Sequence, residues 1–115
     1  MKVSMFRVEK PCGAGPYVGE EDNELLKHMF TVHGDADHLE PWDDPMLGEI
    51  YPDEVCGFAT LCALEEWFAG YEDPLTMCGY SIVVYTVPLN AVRYGKKQAL
   101  FIKDQATAVR TMPMF

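Results

Sequence analysis

The sequence predicts an α+β fold in which two helices pack on a small, largely antiparallel sheet. Three observations support this prediction. Residues 80–87 carry β-branched and aromatic side chains on both faces, as a central strand covered on both sides does. Leucine and aromatic residues recur at helical spacing in residues 60–70. Residues 91–94 and 97–102 flank the pair Gly95-Lys96, which favours a hairpin. Helices that precede a run of neighbouring strands are typical of α+β proteins.

The N-terminal half is predicted to contain one strand, one helix and a long loop. The strand covers residues 3–8 and ends at the Pro- and Gly-rich residues 11–16, because Pro fixes φ and Gly admits positive φ. The helix covers residues 20–32, with acids in its first turn, where they suit the helix dipole, and Gly34 at its end. Residues 35–55 are acidic and contain three prolines, so we predict a loop, and a loop of this length is often functional.

The second helix is predicted over residues 60–70. Thr60 can cap its start and Gly70 its end. We expect its apolar face to pack on the strand of residues 80–87. That face is formed by Leu61, Leu64, Trp67 and Phe68.

Three further short segments complete the predicted sheet. Residues 55–59, before the second helix, are apolar and form a strand or an extended approach. The hairpin of residues 91–102 turns at Gly95-Lys96, and Gly in the first turn position fits a type II′ turn. Residues 107–110 are predicted to add a last short strand.

The length of 115 residues favours a single domain. The charge of the chain is unevenly distributed along it. Its formal net charge is −9. Residues 1–54 hold thirteen acids against four bases, whereas residues 55–115 hold five of each. An acidic surface repels nucleic-acid phosphates and attracts basic partners, so direct nucleic-acid binding is disfavoured. The alternative is that the acids only keep the protein in solution.

The acidic segment of residues 35–54 is the predicted binding surface. It carries eight acids and no base, and its prolines oppose regular structure. The predicted partner is a protein with a basic or nucleic-acid-binding surface. The predicted binding residues are Asp35, Asp37, Glu40, Asp43, Asp44, Glu49, Asp53 and Glu54.

Metal and thiol chemistry have little support in the residue spacing. His28, His33 and His38 are five residues apart, so neighbouring members do not share a helix face, and we predict no metal site. The four cysteines form no C-x-x-C pair and are predicted to be reduced and mostly buried. No motif places a base beside Cys12 or Cys56, so no thiol nucleophile is assigned.

The expected location is the cytoplasm, without a membrane anchor. The N-terminal residues 1–7 are not followed by an apolar signal-peptide core. The longest apolar run, near residues 82–87, is far too short to cross a bilayer. No cofactor is predicted from the residues.

Several segments along the chain resemble small proteins of phages and prophages. The resemblance implies a phage-type accessory protein that acts in the host cytoplasm, where the predicted partner is a host protein. Such a protein binds a host macromolecule stoichiometrically and modulates it, and the class includes inhibitors of host defence such as anti-CRISPR proteins. The resemblance spans nearly the whole chain. The segments include residues 6–9, 13–17, 56–60, 64–68, 85–88 and 95–98.

The layout is also similar to a minimal ADP-ribosyltransferase fold. This resemblance implies an NAD-using enzyme with a basic residue on the first strand, matched by Arg7, and a hydroxyl residue before a helix, matched by Thr60. The family has a Glu on a late strand, where this chain offers Gln98. A neutral Gln can hold a ribose hydroxyl, but it supplies no negative charge to stabilise a developing cation. Binding without catalysis is therefore the preferred interpretation, and NAD belongs only to the alternative.

Overall fold

The structure is a computed structural model that describes residues 1–16, 24–33 and 41–114. Within these ranges it contains six β-strands and three α-helices. The strands are β1 Lys2–Glu9, β2 Glu54–Gly57, β3 Ser81–Pro88, β4 Val92–Tyr94, β5 Ala99–Ile102 and β6 Thr107–Met112. The helices are α1 Glu24–Val32, α2 Leu61–Trp67 and α3 Glu72–Met77.

The strands pair in two antiparallel sheets, which confirms the α+β class. Sheet A has the order β1-β3-β6, and sheet B has the order β2-β5-β4. The prediction of a central strand is confirmed, because β3 pairs with β1 on one side and β6 on the other. The strands form two sheets rather than the one small sheet expected, because β2 joins the hairpin instead of extending sheet A.

Strand β3 contributes to a hydrophobic core on each of its faces. Ile82 lies with the buried residues of the helices, whereas Val83, Tyr85 and Val87 lie with residues of sheet B, including Phe101. Successive side chains of a strand point to opposite faces, so the helices cover one face of sheet A and sheet B covers the other. The apolar character of residues 80–87 on both faces is explained by this arrangement.

Helix α2 forms where the apolar spacing predicts it. Thr60 caps the helix, because its hydroxyl accepts a hydrogen bond from the amide of Ala63 at 3.1 Å. Leu64, Trp67 and Phe68 are buried in the core that contains Ile82, as expected. The helix ends at Trp67, three residues earlier than predicted.

Helix α3 was not predicted from the sequence. It has only six residues, too few to show a helical repeat, and it includes Pro74 in its first turn, where the missing N–H is tolerated. Its buried residues are Pro74 and Leu75. Helix α1 begins at Glu24, and the predicted residues 20–23 lie outside the described residues.

The predicted hairpin is confirmed, but its type II′ turn is wrong. Strands β4 and β5 pair with Tyr94 opposite Ala99, and the Gly95 amide donates to the Gln98 carbonyl at 2.9 Å. A type II′ turn centred on Gly95 would require positive φ there, and Gly95 is not among the glycines with positive φ. Position 95 requires glycine for another reason, because a Cβ there would lie 2.5 Å from an Asp44 carboxylate oxygen.

Two other predictions have mixed outcomes. The last strand is confirmed, and it extends to Met112. The burial of the cysteines is wrong, because Cys12 and Cys62 are exposed while Cys56 and Cys78 are half-buried, and all four are free thiols. Cys12 lies in the turn that follows β1, and Cys62 lies on the solvent-exposed side of α2, where its thiol contacts the Glu66 carboxylate at 3.9 Å. No helix in the described parts of the chain is both long and apolar enough to span a membrane.

We expect Trp67→Ala to lower the free energy of unfolding by about 3–5 kcal/mol, because it removes a large buried side chain and leaves a cavity in the helix-side core. The matched control is Met77→Ala, which truncates a large apolar side chain that is 85% exposed and should change stability by no more than about 0.5 kcal/mol. Chemical denaturation of both variants measures the difference. Equal stability of Trp67→Ala and the parent would show that α2 does not pack on sheet A.

Candidate functional site

The acidic loop, defined here as residues 41–54, is the described part of the predicted binding segment. Asp35, Asp37 and Glu40 lie outside the described residues. The five remaining acids fall into two groups. Those with exposed side chains are Asp43, Glu49 and Asp53, and those held inside the protein are Asp44 and Glu54.

Asp44 anchors the acidic loop to the β4–β5 hairpin. It is 2% exposed, and its carboxylate accepts hydrogen bonds from the amides of Met46 at 2.8 Å and Lys96 at 2.6 Å. The first bond closes a tight turn of the Asx type, and the second ties the loop to the hairpin turn. Asp44 was assigned to the partner surface from sequence, but its carboxylate points into the protein.

Arg93 on β4 makes the second attachment. Its guanidinium pairs with both carboxylate oxygens of Glu54, at 2.8 and 2.6 Å, and donates to the backbone carbonyls of Leu47 and Glu49, each at 2.6 Å. Bidentate arginine–carboxylate pairs are among the stronger polar contacts in proteins. The hydrogen bond from Arg93 lowers the pKa of Glu54, although burial opposes the shift. The same pair raises the pKa of Arg93.

Sheet register explains why Glu54 and Arg93 meet. Glu54 lies opposite Ile102, and Arg93 lies opposite Leu100, so both flank β5 on the same face of sheet B. Phe101 faces the other way, towards sheet A. Leu100 is fully buried on the outer face. The acidic loop is therefore held over a sheet face that needs an apolar cover.

The exposed side of the acidic loop combines carboxylates with large side chains. Met46 is 61% exposed and Tyr51 is 51% exposed, in the same loop as the exposed acids. The guanidinium carbon of Arg93 lies 5.2 Å from the centre of the Tyr51 ring, which positions the ring by a cation–π contact. Exposed methionine and tyrosine are typical of protein interaction surfaces.

A cleft of about 590 Å³ lies beside the acidic loop. Part of its lining comes from the acidic loop. The rest comes from the 3₁₀ turn Leu89–Ala91, from Arg93 on β4 and from Ile102 on β5. This volume is within the usual range for ligand pockets. Its lining residues are Tyr51, Pro52, Asp53, Glu54, Asn90, Ala91, Arg93 and Ile102.

Each of the three residues matched to an ADP-ribosyltransferase makes a structural contact of its own. Arg7 donates from Nε to Glu9 at 2.9 Å and from Nη1 to the Cys56 carbonyl at 2.8 Å. Thr60 caps α2. Gln98 is 7% exposed at the end of the hairpin turn, where its backbone carbonyl accepts a hydrogen bond from the Gly95 amide.

Arg7 belongs to a polar network between the two sheets. Its partner Glu9 accepts hydrogen bonds from the Tyr85 hydroxyl and from Lys103 Nζ, which lies 3.1 Å away. Lys103 Nζ also donates to the Tyr85 hydroxyl at 2.6 Å. Burial raises the pKa of Tyr85, and the hydrogen bond to Glu9 adds to the rise. The raised pKa keeps the Tyr85 hydroxyl protonated, which suits a structural hydrogen bond rather than a general base.

The two described histidines contact aromatic rings. His28 is exposed on α1, and its Nδ1 lies 3.2 Å from the Tyr71 hydroxyl. His33 is buried, and its ring centre lies 5.1 Å from that of Trp67. His38 lies outside the described residues. Within the described ranges, no group of three or more metal-ligating side chains comes together.

Sequence reasoning missed Arg93, Met46 and Tyr51 as parts of the site. The charge of Arg93 was a visible signal, because this residue is a cation in a short strand and the loop of residues 41–54 is rich in acids. The exposure of Met46 and Tyr51 had no such signal, since large apolar residues are more often buried.

A family model described as Bacteriophage T4 Y00F protein matches residues 1–115. The chain belongs to this phage protein family. The phage origin implied by the resemblance is thus confirmed at the level of the family. No curated protein and no solved structure matches the chain. The anti-CRISPR and ADP-ribosyltransferase resemblances, and the use of NAD, remain predictions.

We expect Asp44→Asn to destabilise the protein by about 1–3 kcal/mol, because one carboxylate oxygen that faces an amide N–H becomes an NH₂ donor. The adjacent Asp43→Asn is the matched control, since Asp43 is exposed and its loss of charge should leave stability nearly unchanged. Thermal and urea unfolding of the two variants make the comparison. Equal effects of the two substitutions would contradict the anchoring role of Asp44.

The Glu54–Arg93 pair predicts a specific pH dependence of stability. The folded-state pKa of Glu54 is lowered, so the pair stabilises the fold above the unfolded pKa of about 4.3 and loses this contribution as pH falls through the folded pKa. Glu54→Gln should therefore cost about 1–3 kcal/mol near pH 7, and the cost should shrink below about pH 4. Urea denaturation of both proteins from pH 3 to pH 8 tests this. A cost that is the same at pH 3 and pH 7 would contradict it.

Proposed function

We propose that this phage protein binds a host protein stoichiometrically through the exposed side of the acidic loop and thereby modulates that protein. The proposed target has a basic surface of the kind that binds nucleic acid, and the proposed role is anti-defence, as in inhibitors of the anti-CRISPR type. The bound phage protein would occupy the surface that the nucleic acid otherwise uses.

The observation that carries the proposal is the rigid presentation of the acidic loop. Arg93 and Asp44 make six hydrogen bonds that fix the loop, four from the Arg93 guanidinium and two to the Asp44 carboxylate. A surface that is already ordered loses less conformational entropy on binding. The exposed acids of this loop are therefore suited to recognition and not only to solubility.

The composition of the exposed side favours a protein partner over a small ligand. Met46 and Tyr51 can fill pockets on a partner, whereas Asp43, Glu49 and Asp53 can pair with lysines and arginines around them. Complementary charge also speeds the encounter of two proteins, and it does so less at high salt. The net charge of −9 supports the same direction of steering.

The test is capture of host proteins by the tagged phage protein, followed by titration of the purified captured protein. Substitution of Asp43→Asn, Glu49→Gln and Asp53→Asn together should weaken the complex about tenfold at low salt, which corresponds to about 1.4 kcal/mol. The same variant should make the affinity less dependent on salt. Calorimetry gives the affinity and the stoichiometry, which we expect to be one to one.

The matched control removes three negative charges from the helical side of the molecule. It carries Glu65→Gln, Glu66→Gln and Asp73→Asn, which lie on α2 and α3. This variant has the same net charge as the loop variant. Because it keeps the exposed acids of the loop, it should keep most of the affinity. Equal weakening by the two variants would show that only overall charge matters. Failure of the wild type to capture any host protein would count against the proposal as a whole.

A further inference from the structure

We infer that the cleft beside the acidic loop receives an arginine side chain from the host partner. The inference rests on the proposed function, since the arginine would belong to that partner. It adds a specific recognition element to a surface that is otherwise defined only by its charge and its exposed residues.

Part of the cleft lining is apolar and suits the stem of a long side chain. Ala91 is 4% exposed and Ile102 is half-buried, and both line the cleft together with Pro52. Arginine carries three methylene groups that pack on such a surface while the charged end stays near water. A short acidic or polar side chain would leave these apolar residues uncovered.

The charge around the cleft is negative after its own ion pair is counted. Arg93 is neutralised by Glu54, and its guanidinium already makes four hydrogen bonds. Asp53 is exposed at the edge and adds a negative charge. A guanidinium that enters the cleft can therefore pair with Asp53 without displacing Arg93.

The polar groups of the cleft fit a guanidinium better than an ammonium. The exposed Tyr51 ring offers a face on which a planar guanidinium can stack, as the Arg93 guanidinium near this ring already illustrates. The carboxylate of Asp53 and the amide oxygen of Asn90 can accept several N–H groups from one planar fork. Lysine has a compact charge that cannot stack in this way, so it should bind more weakly.

The test uses short capped peptides and the intact protein. The probe is acetyl-Gly-Arg-Gly-amide, and the comparison peptides carry lysine or norleucine in place of arginine. Backbone amide NMR shifts are followed during each titration. For the arginine peptide we expect saturable shifts with millimolar affinity, and the largest shifts should fall on Tyr51, Asp53, Asn90 and Ile102. The lysine peptide should bind at least threefold more weakly. The norleucine peptide should show no saturation.

Two variants separate the contributions of charge and shape. Asp53→Asn should weaken binding of the arginine peptide at least fivefold, whereas Asp73→Asn on α3, with the same loss of charge, should change it by less than twofold. Asn90→Phe keeps the charge but fills part of the cleft, and it should abolish the saturable shifts. The NMR spectrum of each variant also shows whether the fold is retained.

The outcomes distinguish this inference from the proposed function. If the arginine peptide gives no saturable shifts at the cleft, or if it binds Asp53→Asn as tightly as the wild type, the arginine site is wrong. Shifts spread equally over all exposed acids would also overturn it, because they would indicate nonspecific charge attraction. In each of these cases, capture of the host protein by the acidic loop still decides the broader proposal.

Discussion

Strand β3 has apolar side chains on both faces, and each face must be covered by another part of the chain. The helices cover the face that carries Ile82, and sheet B covers the face that carries Val83, Tyr85 and Val87. Because sheet B lies against β3 through Phe101, its opposite face is turned outward and needs a cover of its own. That outer face is where the acidic loop is attached. The position of the candidate site thus follows from how the central strand is buried.

The attachment of the acidic loop also depends on the order of strands in sheet B. Strand β5 lies between β2 and β4, so Glu54 at the start of β2 and Arg93 on β4 stand on either side of it. Their ion pair crosses β5 on the outer face, and the remaining Arg93 donors bind loop carbonyls. A buried or half-buried arginine requires such partners, because an unpaired charge would be costly to remove from water. One cation therefore orders a loop that is otherwise rich in anions.

Local features of the fold could be predicted from the sequence, whereas its long-range partners could not. The apolar character of β3 on both faces, the spacing of Leu64 and Trp67, and the Thr60 cap are all read from residues close together in the sequence. The division of strands into two sheets depends on β2 pairing with β5, more than forty residues later in the chain. The role of Gly95 likewise depends on Asp44, which comes close only in the folded protein. The wrong turn type has this cause, and so does the missed pairing of Arg93 with the acidic loop.

The same limitation explains why eight acids looked equivalent in the sequence. Composition counts Asp43 and Asp44 alike, yet one side chain is exposed and its neighbour is buried against two backbone amides. Asp44 and Glu54 stabilise the fold, because their hydrogen-bond partners are groups of this chain. The exposed acids are available to another molecule. A substitution that neutralises the whole segment would therefore combine loss of stability with loss of binding. Among the described acids of the segment, variants confined to Asp43, Glu49 and Asp53 report on recognition, since they leave both attachments of the loop in place.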